Sequence, residues 1–226
     1  MDYFDRKWAY YARTRDSLPS GYRRVEYLEC SGAQYIDTGV NGGSDLVVSC
    51  ELYSPDAGGI AWGCIQQEAV TANSTRSQLQ IVGNSSNHNV QFFADTNMSS
   101  IVFSVPLPAR LSVSADFVNG VFSVNGTANA RAVSAYSMNV SVCLFARHVL
   151  LSSGVYDVGS FCNGVKAYWM RIRKEGVLTR NLVPCVRIAD SKPGLYDLCG
   201  SVCPLTNSPF YVNAGSGADF TWSELS

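Results

Sequence analysis

The sequence predicts an all-β protein built as two stacked antiparallel sheets. Three observations lead there. Short runs of Val, Ile, Leu, Tyr and Phe alternate with polar residues at the two-residue period of a strand. Clusters of Gly, Asn, Pro and Asp separate these runs, and nothing beyond residue 17 reads as a long helix. The 226 residues suit one sandwich or barrel of the larger kind, with no repeat, low-complexity tract or linker to divide it. Ahead of it, residues 1–17 form an N-terminal arm of different character.

In that arm Phe4, Trp8 and Tyr11 fall at helical spacing, with Arg6, Lys7, Arg13 and Arg15 between and beyond them. An apolar stripe on so short a segment needs a surface to cover, either its own sandwich or a larger assembly for which it is the anchor. Residues 18–40 open the sandwich. Pro19 and Gly21 punctuate the start, 25–30 is β-prone, Ser31 and Gly32 supply a turn, and 34–38 resumes an extended run, so a hairpin-like pair is expected. From 46 to 53, Leu46, Val48, Cys50 and Leu52 alternate with Val47, Ser49, Glu51 and Tyr53, as in a strand with one face inward. A further strand at 60–65 follows a Pro-Asp-Ala-Gly-Gly turn. Residues 71–100 are rich in Asn, Ser, Thr and Gln and are expected to hold two modest strands, 78–82 and 90–94, joined by polar loops. Leu111, Val113, Ala115 and Phe117 alternate with Ser112, Ser114 and Asp116, and Asn119-Gly120 turns the chain into 121–124. Residues 140–146 read as a buried strand, and 165–174 pairs with 177–187 through Glu175-Gly176.

Two stretches also carry a resemblance. LPSGYRRVEYLECSGAQYIDTG, from Leu18, resembles the opening signature of LamG-like, concanavalin A-like jelly-roll domains of bacterial surface proteins and phage tail or virion proteins, which recurs as LP-x-GY followed by LEYIESTGTQYIDTG. NLVPCVRIADSKPGLYDLCGSVCPLTNSPFYVNAGSG, from Asn181, is similar to the closing pattern of VP, GLYD and F-Y-x-NAGTG. The resemblance implies one jelly-roll domain over 18–226. It also implies a phage or prophage virion component that engages a host-surface glycan or a neighbouring virion protein as part of a homo- or hetero-oligomeric assembly; the alternatives are a bacterial surface carbohydrate-binding module and, more remotely, a glycan hydrolase.

Composition excludes other classes. Charged residues are 15% of the chain, its formal net charge is -1, and no basic block interleaves with aromatics, so nucleic acid is not expected as a partner. No apolar run reaches the length of a membrane span, and DYFDRKWAYY after Met1 lacks a basic segment and an apolar signal core, so neither a span nor a secretory signal is expected. The eight cysteines, Cys30, Cys50, Cys64, Cys143, Cys162, Cys185, Cys199 and Cys203, mostly lie in strand-like runs and are expected to be reduced. The five Asn-x-Ser/Thr triplets, at Asn73, Asn84, Asn97, Asn125 and Asn139, are read as loop composition.

Catalysis is not expected. A glycosidase needs two carboxylates within a few ångströms, and Glu26 and Glu29, the nearest in spacing, flank an apolar run in the opening signature. His88 and His148 are the only histidines, and neither has a supporting motif. Cys185, Cys199 and Cys203 lack the paired spacing of a zinc site. Relatives of the fold hold calcium with loop Asp and Asn, which draws attention to Asp190, Asp197, Asn213 and Asp219; no calcium motif joins them, they are read as turn residues, and no cofactor is expected. A binding surface remains. In VKAYWMRIRK, Tyr168, Met170 and Ile172 share one face and Trp169, Arg171 and Arg173 the other; the resemblance implies that the first set is inner and the second outer, where the indole ring and guanidinium groups either bind a sugar's ring, hydroxyls or carboxylates or pack on the N-terminal arm or a neighbouring subunit. The facing of Tyr53, Trp62 and Trp222 is left open.

Overall fold

A strand with one face in an apolar interior buries alternate residues, and 46–54 does so without interruption: Leu46, Val48, Cys50 and Leu52 are fully buried and the residues between them are not. The computed structural model describes residues 18–55, 59–67, 74–84, 87–96, 100–159 and 161–225. The arm at 1–17, with Phe4, Trp8 and Tyr11, lies outside the described residues. Strands follow one another as β1 (Tyr22–Arg24), β2 (Tyr27–Ser31), β3 (Ile36–Gly43), β4 (Leu46–Ser54), β5 (Gly59–Gln67), β6 (Ser74–Asn84), β7 (Asn87–Asp95), β8 (Ile101–Ser104), β9 (Ala109–Asp116) and β10 (Val121–Val124). After them come β11 (Thr127–Ala130), β12 (Ser137–Leu144), β13 (Arg147–Leu150), β14 (Tyr156–Gly159), β15 (Asn163–Lys174), β16 (Val177–Arg187), β17 (Lys192–Asp197), β18 (Phe210–Tyr211) and β19 (Thr221–Ser223). Among the described residues there is no helix, and so none long and apolar enough to cross a membrane.

The strands form two sheets. The larger runs β11-β10-β9-β4-β15-β16-β17-β18, with β1 on β16, β2 on β15 and β19 on β2. The smaller runs β14-β13-β5-β6-β7-β8, with β12 against β5 and β3 against β12. Pairing is antiparallel throughout, as expected, with one exception: β13 runs parallel to β5. The inner faces meet in an aromatic core. Trp62 of β5 packs edge-on against Phe117 at 6.4 Å between ring centres, and Phe92 of β7 lies 5.3 Å from Phe122 of β10. Each such ring, taken out of water, contributes about 1.5 to 3 kcal/mol, which is why the aromatics at these inward positions determine how the sheets stack. Trp62 is therefore a core residue, whereas Tyr53 and Trp222 are half-buried beside Lys166 and Arg23.

Local pairings follow the turn chemistry. β9 and β10 form the expected hairpin, with Asp116 opposite Val121 and the Asp116 carboxylate accepting from the Asn119 backbone N–H at 2.9 Å. Gly120 is required there, because its φ is +63° and a Cβ would stand 2.0 Å from the Arg131 carbonyl oxygen. β15 and β16 turn through Glu175 and Gly176, at φ 52° and 76°.

Two expectations need correction. The chain at Ser31-Gly32 makes a corner between sheets, because β2 already has β15 on one edge and β19 on the other and has no edge left for β3, which pairs with β12. Gln34, only 2% exposed, holds that corner: its carbonyl accepts from Ser31 N–H at 2.9 Å, and its amide donates to Ser31 Oγ at 2.8 Å and to the Ala218 carbonyl at 3.0 Å. The two strands expected at 78–82 and 90–94 are present but longer than expected, as β6 and β7 pair from Arg76 opposite Asp95 to Asn84 opposite Asn87. Polar side chains can be strand residues there because they are bonded inside, as Ser77 Oγ is to Tyr136 Oη at 2.7 Å.

The two ends meet. β19 pairs with β2, and the Ala214 N–H donates to the Tyr35 carbonyl at 2.9 Å. All eight cysteines are free thiols, seven of them buried. The sulfurs of Cys30 and Cys162 lie 3.0 Å apart.

Candidate functional site

β9, β4 and β15 lie side by side in the larger sheet, so their outward residues form rows across it. Register places Ser114, Ser49 and Arg171 in one row, Ser112, Glu51 and Trp169 in the next, and Asp116, Val47 and Arg173 on the far side. Rows are about 7 Å apart along the strands and strands about 4.8 Å apart across them. Trp169, Arg171 and Arg173 therefore stand together on one side of small side chains, and the space between is a groove of about 410 Å³ lined by Val47, Ser49, Ser112, Val113, Ser114, Trp169, Arg171 and Arg173. The groove exists because serines face the indole: larger residues at 49, 112 or 114 would fill it. Ser49 and Ser114 share a hydrogen bond at 3.1 Å across the floor.

Tyr168 is not on the inner face. β15 carries a bulge between Ala167 and Trp169, which inserts one residue and turns both Tyr168 and Trp169 outward, while Ala167 and Met170 remain buried. Tyr168 is half-buried and lies beneath the Arg110 guanidinium, 3.7 Å from its ring centre, and burial raises its pKa against the pull of that charge. Arg110 also donates from Nε to Glu51 Oε1 at 2.6 Å, and the other Glu51 oxygen accepts the Trp169 indole N–H at 2.9 Å. The indole is thus pinned by its nitrogen, which leaves its face as the binding element. Arg171 packs with its guanidinium carbon 5.2 Å from the Trp169 ring centre and donates through Nε to Asn181 Oδ1 at 3.0 Å. Aromatic ring, guanidinium groups and hydroxyl floor face one volume, and its lining contains no carboxylate and no histidine.

The other residues singled out by sequence fall elsewhere. Glu29 points outward toward Lys166 at 3.9 Å, and Glu26 lies outside the strand. Asp190 pairs with Arg187, whose hydrogen bond holds the carboxyl down at about 2. Asp197 is wholly buried and accepts backbone N–H bonds from Asn181 and Cys199; Asn213 caps Tyr35 and Gly215; Asp219 pairs with Lys192 at 2.9 Å. All four are held by protein partners; Asp197, expected in a turn, ends β17 instead, and none belongs to a cluster of metal-ligating groups among the described residues. His88 lies within β7 and not in a loop. His148, in β13, lies against Ser141 of β12, with Nδ1 3.1 Å from Oγ, and Ser141 donates to Asp37 at 2.5 Å. Serine stands between carboxylate and imidazole here, so this is not the order of a hydrolytic triad.

Sequence reasoning missed Glu51, Arg110 and the three serines. The alternation of β4 and β9 set Glu51 and the three serines opposite the apolar positions, but the adjacency of those strands to β15 is a long-range fact that no local pattern carries. Comparison with protein-family models and with curated proteins gives no match for this chain.

Proposed function

We propose that this chain is a non-enzymatic binding module of the LamG-like, concanavalin A-like jelly-roll kind, and that the groove on its larger sheet holds an acidic glycan. One observation carries the reading: Trp169, fixed by Glu51 through its ring nitrogen, stands with Arg171 and Arg173 over a floor of Ser49, Ser112 and Ser114 in a volume of about 410 Å³. A sugar ring stacks on the indole face, serine hydroxyls exchange hydrogen bonds with sugar hydroxyls, and guanidinium groups pair with a carboxylate or sulfate. The resemblance of both chain ends to phage virion and bacterial surface domains supports placing the module on a phage or prophage virion, facing a host surface.

The test is a glycan array that includes uronate, sialate and sulfate sugars, followed by titration calorimetry on the best ligand. Trp169→Ala should weaken binding at least tenfold, and Arg171→Ala with Arg173→Ala should remove the preference for acidic over neutral sugars and most of the salt dependence. A folded wild-type protein that binds no glycan, or a Trp169→Ala variant with unchanged affinity, refutes the reading.

A further inference from the structure

A second constellation lies on the outer face of the smaller sheet. Cys143 of β12 stands directly across from Asp37 of β3. After β12 the chain turns sharply through Phe145, at φ 70°, and β13 takes over the edge of β5 that β12 leaves, which brings His148 back beside Ser141. The carboxylate of Asp37, the thiol of Cys143 and a ring nitrogen of His148 all lie within 4.8 Å of one another. Among the described residues this is the only such trio of metal-ligating groups.

We propose that Asp37, Cys143 and His148 bind a zinc ion. Zinc sets N, O and S ligands at about 2.0 to 2.3 Å, hence roughly 3.3 to 3.7 Å apart around a tetrahedron, so the trio needs to close by at most about 1.5 Å. The donor set suits it: thiol and imidazole exclude calcium and magnesium, which take oxygen. Ser141 orients two of the ligands, donating to Asp37 Oδ1 and contacting His148 Nδ1, while the Gly39 N–H bonds the same Asp37 oxygen at 2.9 Å. Both bonds go to Oδ1, so Oδ2 is the oxygen for the ion, and the Tyr156 ring, 5.5 Å from the His148 ring, limits its tilt. The Cys143 sulfur accepts and donates no hydrogen bond within the described residues, and the half-buried Asp37 and His148 give an ion access from solvent. Carboxylate, thiolate and neutral imidazole balance a dication, the thiol proton leaves to solvent on binding, and water fills the fourth position. Sequence spacing could not show this site, because its ligands come from three strands that only the fold makes neighbours.

The experiment uses the full chain, stripped with a chelator and titrated with zinc by calorimetry and with cobalt(II) by absorption. One equivalent should bind with release of a proton, and cobalt should give a thiolate charge-transfer band with tetrahedral visible bands. Cys143→Ser should abolish the charge-transfer band, and Asp37→Asn and His148→Ala should each weaken zinc at least tenfold. Cys199→Ser, which removes the exposed thiol, should leave the affinity unchanged. Zinc should raise the melting temperature of the wild type and not of these three site variants. Absence of stoichiometric binding to the wild type, or a cobalt band that survives Cys143→Ser and vanishes with Cys199→Ser, overturns the proposal. The wild-type titration decides the matter even where a variant fails to fold.

Discussion

Removing the carboxylate of Asp197 should cost this protein a large part of its stability. The group is 0% exposed, and its Oδ1 accepts from the backbone N–H groups of Asn181 at 2.8 Å and Cys199 at 3.0 Å. Its Oδ2 lies 3.8 Å from Nε of Arg180, itself only 13% exposed. Arg180 donates onward to the Thr38 carbonyl at 2.8 Å, so the pair links β16 and β17 of the larger sheet to β3 of the smaller. Asp197→Ala leaves a buried cation without its counter-charge and two N–H groups without an acceptor, a loss of about 3 to 5 kcal/mol. For a chain of this length that corresponds to a melting temperature lower by about 6 to 20 °C. Asp197→Asn keeps an acceptor for the N–H groups and loses only the charge, so about 1 to 3 kcal/mol is expected. Arg180→Met combined with Asp197→Ala should be less damaging than the sum of the single changes by at least about 1 kcal/mol, because it also removes the stranded charge. Urea unfolding by intrinsic fluorescence and circular dichroism measures the wild type, the three single variants and the double variant. An Asp197→Ala variant within about 1 kcal/mol of wild type, or strict additivity in the double variant, would refute the reasoning.

Cysteine chemistry supplies two further predictions. Cys199 is the one exposed thiol among the eight, and burial of its sulfur, followed by the charge of Asp197, pushes it up to about 11. Only the thiolate attacks a disulfide reagent, so labelling of the native protein should consume one thiol, with a rate that climbs about tenfold per pH unit between pH 8 and 10; a plateau by pH 9.5 contradicts the assignment. Cys30 and Cys162 have sulfurs 3.0 Å apart, so diamide should convert this pair alone into a disulfide, taking the thiol count of the denatured protein from eight to six. Peptide mapping that finds other partners, or a count that falls to two, would show that the thiols are not arranged in this way.

Period-two alternation could be read directly wherever a strand is regular and half-buried. The inward set of β4, the β9 and β10 hairpin and the turn at Glu175-Gly176 rest on neighbours one to four residues away, which a sequence displays. Trp169, Arg171 and Arg173 were legible as one set for the same reason, and the family resemblance supplied its outward side. Tyr168 was not, because a bulge shifts the period by one residue and nothing in VKAYWMRIRK marks it. The corner at Ser31-Gly32 resembles a hairpin turn locally; what decides its nature is the occupation of both β2 edges by strands more than 130 residues away. Serines 49, 112 and 114 acquire meaning only when three strands are laid side by side, and the same is true of Asp37, Cys143 and His148.

The meeting of the opening strands with the closing ones also sets a timetable for folding. β1 waits for β16, β2 waits for β15 and β19, and Tyr35 waits for Ala214. At a synthesis rate of about 5 to 20 residues per second, roughly 7 to 26 s separate the appearance of Ser31 from that of its partner Asn163. During that interval β2 carries Leu28 and Cys30 with both edges open, while hairpins such as β9 and β10 can already close behind it. The larger sheet is therefore completed late, from long-range pairings that fold slowly, and a nascent chain stopped short of β15 presents an unpaired apolar strand to its neighbours. Chaperone dependence and aggregation of truncated products follow from the same geometry that holds the finished sandwich shut.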